Sequence, residues 1–195
     1  NKLEIQINNL KRNKILSFNS SNYIDENSKN IYPFFQKIRT IIQEKIYIKK
    51  LPGLFAYNPV ILSSVVIDKS LFLKFKFDEN KSLVGIEDLD LWLKIFNLFP
   101  EKIIYENNNL VSIRRRKKSL NIDYNKASMR AIFCISKFFI EQNNFKYFHN
   151  FLIGIGYRAI KALIKNYFNP IKKVTIGLSI FLIFIYIIIF KTPVF

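Results

Sequence analysis

Two acidic clusters hold the densest chemical signal in the chain. Asp78-Glu79 follows an apolar segment, and Glu87-Asp88-Leu89-Asp90 opens a stretch in which Leu89, Trp92, Leu93, Phe96 and Phe99 recur at helical spacing. Crowded carboxylates raise one another's pKa, which suits a general base. Asp88 and Trp92 lie four residues apart, so on a helix they project from neighbouring turns of one face. An acid beside a flat ring can hold a sugar hydroxyl over a base. The same three acids in a first helical turn also complement the helix dipole and cap free N–H groups without any catalysis. Both readings stand on the sequence. Asp88-Leu89-Asp90 spells D-x-D, but it opens a helix rather than ending a strand, so no metal is assigned to it.

Other chemistries are excluded by composition. One Cys leaves no disulfide framework or Cys-rich zinc site, one His leaves no His cluster, and five scattered Gly leave no phosphate-binding loop. An apolar fraction of 50% is far above that of a disordered tail. The 195 residues suit about one domain plus an appendage. The chain starts with Asn1 rather than Met, so it is expected to be processed or to belong to something longer. Residues 1–14 lack the apolar core of a signal peptide.

The elements that must position the acids read as alternating α and β. Leu3, Ile7 and Leu10 recur at helical spacing, and residues 15–18 form a short strand closed by the turn-rich SNSSNYIDENSKN region. Residues 32–48 are predicted helical after Pro33, with Ile46-Tyr47-Ile48 alternatively extended, and a break follows at Pro52-Gly53. Residues 60–67 are apolar and β-branched, as in a buried strand, and 69–75 form a short helix or turn. Residues 87–99 are the clearest helix, stopped by Pro100. Strands at 102–105 and 110–113 flank an Asn107-Asn108-Asn109 turn, and 124–142 is helical. Strands interleaved with helices predict an α/β sheet domain over residues 1–124.

Charge is placed unevenly. Residues 1–110 carry 16 basic and 12 acidic side chains, whereas 111–195 carry 15 and 2. A basic stretch leading into an apolar one suggests an anionic membrane surface before it suggests nucleic acid. Lys, Asn, Ile and Phe abound throughout, as A/T-rich codons would produce, so the Lys excess does not by itself point to a partner. In 125–170, Arg158, Lys161 and Lys165 share one helix face, while Ile155, Ala159, Leu163 and Tyr157 lie elsewhere around it. With Phe145, Tyr147, Phe148, Phe151, Tyr167 and Phe168 this segment reads as an interfacial amphipathic helix or, equally, as a packed helix. His149 is given no role. Residues 174–190 carry no charge, and as a helix they would span about 25 Å, so 171–195 is expected to be a membrane anchor. The basic excess before the span places the bulk of the chain in the cytoplasm, and the lone Cys134 agrees with a reducing compartment.

Phe77-Asp78-Glu79 followed by Glu87-Asp88-Leu89-Asp90-Leu91-Trp92-Leu93-Lys94 resembles the F-D-E … E-D-x-D-L-W-L-R stretch of family 2 glycosyltransferases. Asn58-Pro59 with Ser63-Ser64 is similar to the family's preceding segment, and Asn1-Lys2-Leu3-Glu4-Ile5-Gln6 to the stretch after its metal-binding strand. The resemblance covers roughly residues 1–120. It implies the acceptor-side part of a GT-A-like mixed sheet with flanking helices, the nucleotide-binding half being absent. It assigns Asp88 as the base that deprotonates an acceptor hydroxyl in an inverting transfer from a nucleotide-sugar to a glycan or lipid-linked acceptor. Glu87 would shape the site, Trp92 would support the acceptor, and Asp78, Ser63 and Ser64 would complete the substrate-binding positions. Arg114 and Arg116, within the run 114–118, would face the diphosphate, the alternative for that run being a solvated or membrane-facing basic loop. Where the family often carries Arg…His…Ser, the His is missing here and Ser119 is present. A divalent metal, Mg or Mn, is implied, with ligands in the absent half.

The expected whole is an α/β sheet domain, then a basic helical region, then one membrane-spanning helix. A non-catalytic basic membrane-associated module is the competing class. Nucleic-acid binding through 114–118 ranks last, because no nucleic-acid motif accompanies the patch.

Overall fold

Leu16 and Phe18 are fully buried, and the sheet is built around the strand that carries them. The structure, a computed structural model, describes residues 1–31, 50–114, 124–143 and 145–165, together with positions 38, 40, 41, 44, 45, 47 and 48. Strand β1 (Leu16–Ile24) is central. β2 (Val65–Ile67) pairs with it antiparallel, Phe18 opposite Val65, and β3 (Ile103–Arg114) pairs parallel, Phe18 opposite Tyr105. Helix α1 (Lys2–Lys11) precedes β1, and α2 (Leu51–Ala56), α3 (Lys69–Phe75), α4 (Glu87–Leu98), α5 (Tyr124–Gln142) and α6 (Phe148–Lys165) follow in order.

Side chains alternate across β1. Leu16 and Phe18 enter an aromatic core with Trp92 and Phe96 of α4, while Ser17 turns to the other face, where α1 lies. α2 packs on α6, α6 on α5, and α5 on α4. Phe55 of α2 meets Phe151 of α6 edge-on at 6.3 Å, and Phe151 stacks on Phe139 of α5 at 4.2 Å. One core therefore runs through residues on both sides of position 124. α6 is buried along Phe151, Ile155, Ala159 and Ala162, which is the packed-helix alternative. Cys134 lies in the same core, where burial pushes its thiol pKa up to about 12 and keeps it protonated at neutral pH.

α1 has the expected helical spacing but presents the opposite face. Leu3 and Ile7 are 54% and 44% exposed, while Gln6 and Asn9 are buried. Gln6 Nε2 donates to the carbonyls of Ser17 at 3.0 Å and Ser64 at 2.9 Å, and Asn9 Nδ2 donates to Glu106 Oε1 at 2.6 Å. The sheet face beneath α1 offers Ser17 and backbone carbonyls, so amides rather than methyl groups make the contact. Gln6→Ala is expected to leave both carbonyls without this donor and to cost roughly 2–3 kcal/mol in chemical denaturation.

Several boundaries differ from the sequence expectation. β1 continues to Ile24 through the Ser/Asn region, and the turn is confined to 25–29, where Asp25 Oδ1 accepts from the N–H groups of Asn27 and Lys29, both at 2.9 Å. Pro52 and Gly53 begin α2 rather than break the chain, since a first turn needs no N–H from Pro. Residues 60–67 yield only three strand residues after a 3-10 turn at Leu62–Ser64. β3 is one strand, and its Asn run is absorbed as bulges: Asn19 faces Glu106, Ser20 faces Asn109 and Ser21 faces Val111.

The expected fold class is corrected in one respect. The mixed three-stranded sheet and its helices are observed, but among the described residues no helix is long and apolar enough to cross a membrane. α5 and α6 have 19 and 18 residues, and charges interrupt both: Lys137 and Glu141 in α5, Arg158 and Lys161 in α6. The apolar run 174–190 lies outside the described residues.

Candidate active site

The start of α4 is set by a tight approach. Gly85 sits at φ 83°, a left-handed conformation that glycine adopts without strain, and its N–H donates to Glu87 Oε2. Ile86 then accepts from the N–H of Leu89 at 2.9 Å. Leu89, Trp92, Leu93 and Phe96 are buried, which fixes the helix's rotation and leaves Asp88 at the edge of its buried face. The three acids of this turn have separate tasks. Glu87 folds back on Gly85, the buried Asp90 pairs with Lys94 one turn on, and Asp88 turns toward a cleft.

Asp88 is half-buried and held at both oxygens. Oδ1 accepts from Leu89 N at 2.8 Å, and Oδ2 accepts from Asn58 Nδ2 at 3.3 Å. Asn58 is oriented in turn, because its Oδ1 accepts from Val60 N at 3.1 Å, which aims the amide NH2 at the carboxylate. The cleft measures about 280 Å³ and is also lined by Tyr57, Ser128, Arg158 and Lys161. Burial raises the Asp88 pKa most, with a smaller contribution from the Glu87 charge, and the bonds from Leu89 and Asn58 oppose both. The result is a pKa of about 6. A half-desolvated carboxylate with that pKa, facing open space, can accept a proton near neutral pH.

The remaining expected site residues are dispersed. Glu87 and Asp78 line a different cleft, of about 310 Å³, with Phe77 and Glu79. Asp78 is pinned there: the bond from Asn80 N and the Lys137 ammonium at 3.0 Å hold its carboxyl below the usual range. Ser63 is exposed, and its carbonyl accepts from Lys2 Nζ at 2.9 Å. Ser64 is buried, with Oγ donating to Ile61 O at 2.7 Å. Arg114 fastens the 25–28 turn, donating to Asp25 O at 2.8 Å, Glu26 O at 2.7 Å and Ser28 Oγ at 3.0 Å. Arg116 and the rest of the basic run lie outside the described residues.

Trp92 is not an exposed platform. Its ring is 1% exposed within the core, because the stripe that fixes α4 includes it. It is the chain's one Trp. Its fluorescence is therefore expected to resist iodide in the folded protein and to become quenchable only on unfolding. Strong quenching under native conditions would contradict the buried position.

The sequence puts Arg158 and Lys161 on one face of a helix that is either interfacial or packed, and it gives Tyr57 and Ser128 no role. Their common signal is tertiary. α2 ends at the cleft and residues of α5 and α6 line it, so residues 31 to 73 positions from Asp88 meet it in space. Asn58 was marked only as part of a motif, not as the donor to Asp88.

Comparison with protein-family models, with curated proteins and with solved structures gives no match. Among the described residues no group of three or more His, Cys, Asp or Glu side chains could hold a metal. The Mg or Mn implied by the resemblance finds no ligand set among them.

Proposed function

We propose that this chain carries the acceptor-side base of a glycosyl transfer. The observation that supports it is Asp88: a half-buried carboxylate at a cleft wall, oriented by Asn58, with a pKa raised to about 6. In this reading Asp88 takes the proton of an acceptor hydroxyl as that oxygen attacks the anomeric carbon of a nucleotide-sugar. The bond to the diphosphate breaks in the same step, and the anomeric carbon inverts. The donor is a nucleotide-sugar and the acceptor a glycan or a lipid-linked sugar. The test is sugar transfer by the enzyme that contains this chain, with and without Asp88→Asn. Unchanged turnover would sink the assignment.

A second reading is favoured by a specific surface. Ile153, Tyr157 and Ile160 recur at helical spacing on α6 and are each at least half exposed, beside Lys161. Such a stripe suits peripheral contact with an anionic membrane, on the cytoplasmic side if the basic excess governs placement. The protein is expected to bind vesicles containing phosphatidylserine at low salt. Ile160→Asp is expected to weaken that binding about tenfold, the effect of withdrawing one buried aliphatic side chain. Equal binding by the variant would remove this reading.

A further inference from the structure

Arg158 of α6 ties down the segment from which Asp88 is held. Its Nε donates to Phe55 O at 2.7 Å and its Nη2 to Leu54 O at 3.1 Å, both in the last turn of α2. A helix of six residues is marginal alone, and its final carbonyls lack partners within it. The fork of one guanidinium satisfies two of them. Gly154 lies four residues before Arg158 on the same face of α6, where any Cβ would collide with Phe55. The glycine lets α2 settle on α6, and the arginine fastens its end.

The chain leaving α2 has little freedom to absorb a movement of that end. Tyr57 is extended, at φ −150° and ψ 142°. Asn58 precedes Pro59, which confines its backbone to extended conformations. Its Oδ1 accepts from the N–H of Val60 at 3.1 Å, and Val60 is buried in the core. Asn58 is thus fixed between the fastened end of α2 and a core residue, and its Nδ2 reaches Asp88 Oδ2 at 3.3 Å. A shift of Phe55 passes along this stiff link to the amide. We propose that Arg158 is a positioning residue for the Asp88 carboxylate, acting through the end of α2 and the Asn58 amide. Its meaning for catalysis rests on reading Asp88 as the base, whereas the path from Arg158 to Asp88 does not. The groups around Asp88 are Glu87 on its own helix, Tyr57 and Asn58 after α2, Ser128 of α5, and Arg158 and Lys161 of α6. Charge acting straight across the cleft is the competing explanation for any effect of Arg158, and the test separates the two.

The test follows the Asp88 carboxyl carbon by NMR through a pH titration of the purified protein, with Asp88→Asn identifying the resonance. The wild-type midpoint is expected at about 6. Asn58→Ala removes a bond that favours the ionised form, and is expected to raise the midpoint by about 0.5 to 1 pH unit, the effect of losing one long hydrogen bond to a charged group. Arg158→Gln is expected to raise it at least half as far, and to add nothing in the Asn58→Ala background. If Arg158→Gln does not fold by circular dichroism, Arg158→Lys replaces it: the charge stays but the fork is lost, so the same rise is expected. An unmoved midpoint in the arginine variant or in Asn58→Ala overturns the proposal. So does a rise that persists undiminished on top of Asn58→Ala, which would assign the effect to charge. In the enzyme that contains this chain, the pH profile of sugar transfer should move with the NMR midpoint. A moved midpoint with transfer indifferent to pH keeps the path and removes the base. An unmoved midpoint beside a transfer step at about pH 6 removes the path alone.

Discussion

Gly154→Ala is expected to destabilise the protein by about 3 kcal/mol, while Gly156→Ala, two residues on in the same helix, is expected to stabilise it. A Cβ at Gly154 would stand 2.5 Å from Phe55 Cβ, 2.6 Å from the Phe55 carbonyl carbon and 2.9 Å from its oxygen. Two of those three atoms are backbone, so no rotamer change relieves the contact, and α2 and α6 must separate. Overpacking of this kind costs roughly 1–3 kcal/mol or more, and the helix propensity of Ala returns less than about 1 kcal/mol. At Gly156 a Cβ meets nothing within 4 Å, so only the propensity gain of about 1 kcal/mol remains. Urea denaturation of the two variants checks the contrast. Equal stability would mean that α2 and α6 do not approach as closely as described. The effect extends to the cleft, because Arg158 bonds the carbonyls of Leu54 and Phe55. Separating the helices displaces that guanidinium.

Asp88→Asn is expected to lower sugar transfer by about 10²- to 10⁴-fold, the contribution of a positioned general base. Wild-type turnover should rise with pH through about 6, as the carboxylate forms, and the variant's residual rate should lack that step. Stability should move the other way. The folded state holds the Asp88 proton to about 6, whereas the unfolded chain releases it near 3.8. Between these values the folded protein binds more protons, so stability contributed by this group is full below about 3.8 and falls as pH rises to about 6. At neutral pH the ionised form then destabilises the fold by on the order of 2 kcal/mol, less whatever solvent access relieves. Asn removes the charge but can accept from only one of Leu89 N and Asn58 Nδ2, so a net gain of about 1 kcal/mol at pH 7 is expected, vanishing near pH 4. Denaturation of both proteins at the two pH values measures it. A variant less stable than wild type at pH 7 would mean that Asp88 serves its helix end more than its cleft.

The legibility of the fold varies with how local its causes are. The α4 stripe of Leu89, Trp92, Leu93 and Phe96 and the bounds of α5 follow from periodicity, because a core-facing helix must repeat its apolar residues every turn. The same logic failed for α1. Leu3 and Ile7 have helical spacing, yet Gln6 and Asn9 are the residues that dock, since the sheet offers them polar partners that no pattern within α1 records. Trp92 was readable as part of the stripe and equally as a platform beside Asp88, and only burial distinguishes the two. Likewise 107–109 read as a turn because Asn favours turns, while pairing to β1 absorbed the extra residues as bulges. The cleft itself was hidden. The Asp88 position follows from α4, but Asn58, Ser128 and Arg158 reach it from three other segments, and sequence spacing does not encode their meeting.

The amide-mediated seat of α1 has a thermal consequence. Exposure of apolar surface raises the heat capacity of unfolding, and exposure of polar surface lowers it. Lifting α1 uncovers Gln6, Asn9 and the groups they bond, whereas opening the layer of Phe18, Phe96, Phe139 and Phe151 uncovers aromatic rings. Cooling therefore weakens the ring layer more than it weakens the seat of the first helix.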